Sequence, residues 1–360
     1  MTKDARAAVT LLLAGDTNLQ FREDPSGAFR HVLPLFRDAD VRFVNLEGPL
    51  AGPSEDPAAP DIPHKAGWRH SEPRMVRGLV AAGIDVVGCA NNVTYPPEAM
   101  LRSLAVLDEA GIRHAGGGGT RDEARAPVVL ERRGVRFGFL SYTSVFWPVG
   151  HAATERTPGV ATIKAHTAYL PNRRLHEMPG GPPEVVTWPD ASELAVMQAD
   201  VRRLREQVDL IVLSCHWGVS GSTETCEYQR AIGRAAVDAG ADVVIGHGPH
   251  VLQGVELIQG PGGQRPVFYS LGNFAFDWTK MRGQSLDGLL VRCAIRDRAL
   301  AEVAVIPLRR DDANDPAPLD PGDGAGAEIV AQVRARSRAY GTEFCASAGR
   351  FTLGGSGGSG

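Results

Sequence analysis

Cysteine is scarce in this chain: there are five in 360 residues, an odd number at irregular spacing. That excludes a disulfide scaffold, which needs regular pairs, and predicts a reducing compartment, read here as the cytoplasm. Long apolar runs are missing too. No stretch approaches the ~18 residues that a spanning helix needs, and Met1 to Arg6 lead almost at once into the first apolar run, leaving no room for a signal peptide. A soluble protein with no membrane segment is therefore expected. Charge of one sign is not in excess: a net charge of −4 with both signs interspersed gives neither nucleic acid nor an anionic membrane a surface to recognise. Internal repeats and low-complexity tracts are absent apart from the Gly/Ser tail at 354–360, whose composition is that of a flexible linker and which is set aside from the fold. The remainder, 43% hydrophobic and 22% charged, has a globular composition and enough length for a substantial core.

What the chain does contain is a series of apolar runs that end in polar loops. Residues 9–14 stop at Gly15-Asp16, residues 41–46 at Glu47-Gly48-Pro49, and residues 84–90 at Asn91-Asn92. Residues 210–214 deliver Cys215-His216-Trp217-Gly218, and Val243, Val244 and Ile245 stop at Gly246 before presenting His247 and His250. Helix-like sequence precedes these runs, for example at 73–82 and 228–239, and the alternation predicts a layered α/β fold. The β-branched run at 243–245 suits a strand covered on both faces. In such sheets the loops beyond the C-terminal strand ends collect ligands. Gly246 and Gly248 permit a sharp turn there, and Pro249 stiffens it.

Further helices are expected at 98–110 and 192–207, a hairpin at 127–130 and 136–141, and strands at 255–258, 266–274, 288–295 and 301–306. Gly116 to Gly119 lack the preceding strand and following lysine of a phosphate cradle, so a flexible turn is expected. Residues 145–189 break the pattern. Rich in Pro, His, Arg and aromatics, they read as an ordered lid or substrate wall, with a surface insertion of no special role as the alternative. Residues 309–326 read as a polar linker and 327–340 as a final helix on the outside. The expected organisation is one domain over 7–308 carrying the 145–189 insertion, followed by a linker and C-terminal helix over 309–353.

The strand-end loops offer Asp16, Glu47, Asn92, His216, His247 and His250. Oxygen and imidazole ligands without thiolates suit Mn²⁺, Fe²⁺ or Zn²⁺ in a hydrolytic site. Singly, each has an ordinary explanation as a cap, a turn former or a satisfied histidine. Jointly, successive strand ends that deliver this set point to metal. A bridging carboxylate would let two cations sit ~3.5–4 Å apart, hold a substrate oxygen and generate hydroxide at neutral pH. Cys215 and Cys226 read as small fillers, because no histidine and acid are arranged to activate them.

In order, Gly15-Asp16, Asn45-Leu46-Glu47, Ala90-Asn91-Asn92, His216-Trp217-Gly218, Gly246-His247-Gly248-Pro249-His250 and Tyr269-Ser270-Leu271-Gly272-Asn273-Phe274 resemble the CapA/PgsA family, named for capsule and poly-γ-glutamate synthesis. The likeness spans roughly residues 9–278. That family is similar to the calcineurin-like metallophosphoesterases, so the resemblance implies an α/β fold of the metallophosphoesterase type, a four-layer α/β/β/α sandwich, with two divalent metal ions. It implies that Asp16, Glu47 and His250 hold one ion, and that Glu47, Asn92, His216 and His247 hold the other, with Glu47 as bridge. Two departures stand out. Asn18 replaces the histidine two residues after the first aspartate, and Val93 replaces the histidine that in the phosphatases assists the transition state or protonates the leaving group. Candidate substitutes are His64 in the 63–70 stretch and His151 and His166 in the lid, each equally readable as a solvated loop histidine. Tyr95 lies close to the altered position in sequence. Lys65, Arg69 and Arg173 are candidates for binding a substrate carboxylate or phosphate, arginine through its planar fork.

The function implied is a soluble metal-dependent hydrolase with a dinuclear centre. It would cleave an amide or peptide bond of the poly-γ-glutamate kind, or a phosphoester, in a small-molecule or peptide substrate. Two alternatives stand beside it: a metal-dependent peptide epimerase or isomerase, whose chemistry has no leaving group and so fits Val93, and a non-catalytic capsule-biosynthesis component. The sequence carries no signal for oligomeric state.

Overall fold

The computed structural model describes residues 8–56, 58–282, 284–347 and 350–354. Residues 1–7 and the tail beyond Gly354 lie outside the described residues. Side-chain alternation along the first strand, Val9–Asn18, shows how the layers arise. Leu11 and Leu13 enter one core, whereas Leu12 and Ala14 enter another on the opposite face. Every residue of this strand is buried, and Leu11 to Ala14 accordingly run apolar without the alternation of a strand that has one face in water.

The larger sheet has the spatial order Phe344–Ser347, Arg350–Leu353, Ala299–Arg310, Asp287–Arg296, Val9–Asn18, Val41–Leu46, Val86–Gly88 and Arg113–Ala115. The second has the order Val255–Gly260, Gly263–Phe268, Val243–His247, Leu210–His216, Val135–Thr143 and Val128–Arg132. In the first sheet the strands from Val9–Asn18 to Arg113–Ala115 run parallel and those on the other side of Val9–Asn18 pair antiparallel, whereas the second sheet has a parallel centre closed by an antiparallel strand at each edge. The inner faces pack on each other, with the Phe43 and Phe139 rings stacked at 5.7 Å between centroids. Helices Leu33–Arg37, Val76–Ala81 and Pro97–Glu109 cover the outside of the first sheet through Phe36, Leu79, Met100 and Leu107. Helices Ala191–Arg205 and Glu227–Ala239 cover the second through Met197, Val201, Ile232 and Ala236. The result is the expected four-layer α/β/β/α sandwich.

Local chemistry sets the helix limits. Asp190 caps Ala191–Arg205 by accepting from the Ser192 and Glu193 amides, and Arg202, Arg203 and Arg205 oppose the dipole at its other end. Gly240, at φ +116°, terminates Glu227–Ala239 in the left-handed region.

Four expectations change. Residues 309–326 are not a solvated linker: Pro316–Pro318 pairs with Ala299–Arg310, and Arg310, Asn314 and Asp315 are buried. The Asp315 charge is matched from far along the chain by Arg22 at 2.5 Å, which also lies 2.6 Å from Asp277. The last helix, Gly324–Ser337, is not confined to the outside, since Ile329, Val330 and Val333 join the core between the sheets. Residues 145–189 do not form one lid. Gly159–Val160 pairs with Gly117–Gly118, which makes the glycine tract a paired strand and not a loose turn. Ala165–Leu170 and Glu184–Pro189 form a separate hairpin tied to helix Glu227–Ala239, where the Thr187 amide donates to Glu227 Oε2 at 2.8 Å. Among the described residues, no helix is long and apolar enough to cross a membrane.

Candidate metal centre

Parallel strands bring their C-terminal ends to one edge of the sandwich. Asp16 pairs in register with Asn45 on one side and Asn273 on the other, while His216 pairs with His247 in the facing sheet. Two glycines make the close approach possible. A Cβ on Gly15 would lie 2.1 Å from the Gly272 carbonyl, and one on Gly246 would lie 2.0 Å from the Tyr269 carbonyl. The next loop positions its histidine through backbone geometry that L residues seldom adopt, with φ of +101° at Gly248 and +60° at His250.

At the centre, His247 Nδ1 lies 3.4 Å from Asp16 Oδ1, and His250 Nδ1 lies 3.5 Å from Asp16 Oδ2. Glu47 spans the next pair, with Oε1 3.5 Å from His250 Nε2 and Oε2 3.5 Å from His216 Nε2. One ligand atom each from Asp16, Glu47 and His250 falls within a single 4.8 Å group. Asparagines hold the frame. Asn45 Nδ2 donates to Asp16 Oδ1 at 2.8 Å and the Gly248 amide donates to Asp16 Oδ2 at 3.1 Å. Asn18 Nδ2 donates to the Glu47 carbonyl at 2.9 Å, and Asn91 Nδ2 to the Leu46 carbonyl at 2.8 Å. Asn273 Oδ1 lies 2.9 Å from His250 Nδ1, which fixes the ring by leaving Nε2 turned toward Glu47.

Burial governs the charge state. Burial works against an ionised Asp16, yet the close approach of His247, with His250 and His216 behind it, holds the carboxyl well below the usual range. Burial, reinforced by the Asp16 charge, pushes Glu47 well up. Burial also keeps the imidazoles neutral, taking His216 down to about 4 and lowering His247. Neutral imidazole is the form that binds metal. Glu47 Oε2, Asn92 Oδ1 and both ring nitrogens of His216 and His247 are buried without any hydrogen-bond partner. Buried polar atoms are normally satisfied, so this concentration of unpartnered donors to a cation fits divalent metal.

The structure brings Asp16, Glu47, His216, His247 and His250 together, with Asn92 on the adjoining turn. The other candidates divide. His151 is buried beside the Asn91–Thr94 turn and close enough to His216 for their charges to interact. Its Nδ1 accepts from the Trp147 amide at 3.0 Å, so a neutral ring carries its proton on Nε2, which has no partner. His64 is exposed at the rim, 5.8 Å from the Trp147 ring. The Lys65 ammonium is felt by Glu47 and His216.

His166, Arg69 and Arg173 do not join the site. His166 pairs with Asp190 at 3.2 Å on the separate hairpin, because residues 165–189 pack on the outer helix layer. Arg173 pairs with Glu184 at 3.1 Å and is 85% exposed. Arg69 is consumed by its own loop, donating to the Ala59 carbonyl at 2.7 Å and the Asp56 carbonyl at 2.9 Å. Val93 is wholly buried against Ile62 and Trp68, with Tyr95, Trp147 and Trp278 around them. The position of the family histidine has thus become part of an apolar wall. Residue-type reasoning passed over Asn45 and the wall formed by Trp68, Trp147 and Trp278. The repeated asparagine two places from each carboxylate, Asn18 after Asp16 and Asn45 before Glu47, was the available signal for the first.

Residues 9–278 match the model of the family described as "Bacterial capsule synthesis protein PGA_cap". Among curated proteins, the chain is 30% identical over 287 residues to the uncharacterized protein y4sH of Sinorhizobium fredii, covering 69% of this chain and 61% of that one. It is 29% identical over 284 residues to the capsule biosynthesis protein CapA of Bacillus anthracis, covering 78% and 60%. It is 26% identical over 250 residues to a probable polyglutamine synthesis accessory protein of Mycobacterium tuberculosis, covering 68% and 57%. The chain therefore spans about three fifths of the length of these relatives. A solved structure described as a novel phosphatase from Mycoplasma pneumoniae is similar at a TM-score of 0.49 and 14% identity, over 85% of this chain and 95% of that one, a likeness too loose to bear on chemistry. The family match runs through every strand end that presents a candidate ligand, from Asp16 to His250, and the chain belongs to the bacterial capsule synthesis family PGA_cap.

Proposed function

We propose that this protein is a metal-dependent hydrolase with a dinuclear centre that cleaves an amide bond of the γ-linked peptide kind, or a phosphoester. The observation that carries the reading is the convergence of unpartnered, buried ligand atoms from Glu47, Asn92, His216 and His247 around Asp16. Asp16, Glu47 and His250 would hold one cation, and Glu47, Asn92, His216 and His247 the other. When bound, such ions supply Lewis-acid activation of water and of the scissile carbonyl or phosphoryl group. The chain's own residues set the geometry. Asn45 and the Gly248 amide orient Asp16, and Asn273 orients His250. His151, carrying its proton on Nε2 beside the Asn91–Thr94 turn, is the hydrogen-bond donor assigned to the leaving group, with His64 at the rim as the second choice.

The burial of Val93 in the apolar wall favours one further reading, a metal-dependent isomerase acting at an α-carbon, which needs no leaving-group acid. Capsule-family relatives named as accessory proteins keep a non-catalytic role as the third. Elemental analysis followed by incubation with γ-glutamyl oligomers and an aryl phosphate in D₂O separates the three. New amine, carboxylate or phosphate supports hydrolysis, and α-deuteration without cleavage supports isomerisation. A chain that takes up no divalent metal overturns both catalytic readings.

A further inference from the structure

The loop that follows the Glu47 strand end is held rigid to present one lysine. The Lys65 amide donates to the Ile62 carbonyl at 3.0 Å, and the Trp68 amide donates back to the Lys65 carbonyl at 3.0 Å. From the other side, Trp278 Nε1 donates to the Gly67 carbonyl at 3.3 Å and Lys280 Nζ to the Ala66 carbonyl at 2.7 Å. Lys280 is thereby engaged, and Lys65 is not. The Lys65 ammonium lies 5.2 Å from the Trp68 ring centroid and 4.9 Å from that of Trp278, and it makes no hydrogen bond or ion pair among the described residues. Two indole faces stabilise its charge but satisfy none of its three N–H donors. The one carboxylate whose charge it feels is Glu47, and cations in the metal centre would claim that charge. A half-buried ammonium with free donors beside a metal centre is completed by an anion.

We propose that Lys65 is the specificity residue that takes an anionic group, carboxylate or phosphate, on the substrate next to the bond attacked. This rests on the metal reading given above. Lys65 binds and orients, and takes no part in bond cleavage. The Trp68 and Trp278 rings hold its ammonium in place, so the anion is met at a fixed position.

The test is isothermal titration of the metal-loaded full chain, with metal content checked by elemental analysis, against glutarate, glycerol 3-phosphate and the neutral glutaramide. K65M keeps the apolar stem between the indoles and removes the charge; K65Q serves if K65M does not fold. Loss of a charge-assisted hydrogen bond is expected to weaken at least one anion by about tenfold or more. Metal content and glutaramide binding should stay at the wild-type level, and K65R should restore the anion. The anion that loses more identifies the group. A smaller loss than about tenfold for both anions at full metal content overturns this inference alone. A chain that takes up no metal overturns the metal reading and this inference with it.

Discussion

Glu47→Gln should make the metal-free protein more stable while abolishing its response to metal. Glu47 is 1% exposed, its Oε2 has no hydrogen-bond partner, and ring nitrogens of His216 and His250 lie 3.5 Å from its carboxyl oxygens. Burial, with the Asp16 charge added and His250 and Lys65 opposing, raises the carboxyl from 4.5 to about 8. A folded-state pKa above the unfolded one means that the native chain holds the proton more tightly. Its contribution to stability is therefore intact below 4.5 and lost as pH rises from there to about 8. At neutral pH that loss is on the order of 3 kcal/mol, from about 1.4 kcal/mol per unit. Glutamine has nothing to ionise and escapes it. In chelator near neutral pH, the variant should melt higher by roughly 5 °C, and the gain should vanish near pH 5. Divalent metal should raise the wild-type melting temperature and leave the variant unmoved. Thermal unfolding followed by circular dichroism at both pH values, with chelator and with Mn²⁺ or Zn²⁺, reads all four conditions. A variant that is less stable than wild type in chelator at neutral pH, or that keeps the metal-induced shift, refutes the reasoning.

Four further outcomes are expected. Asp16→Ala and His216→Ala should each strip the protein of metal by elemental analysis, and Asp16→Ala also leaves Asn45 Nδ2 and the Gly248 amide unpaired, at about 1–3 kcal/mol each. Val93→His should cost about 1–3 kcal/mol by burying a polar ring against Ile62 and Trp68, without raising turnover of an aryl phosphate; a rise would show that the ring reaches the metals. His151, taken by burial from 6.5 down to about 4, resists protonation in the folded state, so its contribution is present above 6.5 and lost as pH falls toward 4. Protection of the Trp147 amide, which donates to His151, should fall over that interval in hydrogen exchange. Gly246→Ala should destabilise the fold by about 3 kcal/mol or more in denaturant unfolding, because its methyl would sit 2.4 Å from Trp217 Nε1 and displace that atom's bond to the Tyr269 carbonyl.

The layered fold and the clustering of the candidate ligands were legible in the sequence because both are written locally. An apolar run covered on two faces reads as a central strand, and an Asp, Glu or His at its C-terminal end marks the edge where ligands gather. Asp16, Glu47, His216, His247 and His250 needed no knowledge of distant partners to be singled out. Whether a charged or aromatic residue is solvated, paired or walled in depends on what the fold brings from far along the chain. Arg22 finds Asp277 and Asp315, which turns an apparent linker into a buried ionic joint. Arg69 and Arg173 looked alike as anion binders, yet one staples its own loop and the other sits on an outlying hairpin. Val93 looked like a missing acid, and packing made it part of an apolar wall with Trp68. Local pattern determined which strand ends present carboxylates and imidazoles; only tertiary packing decided which neighbouring side chains remain free beside them.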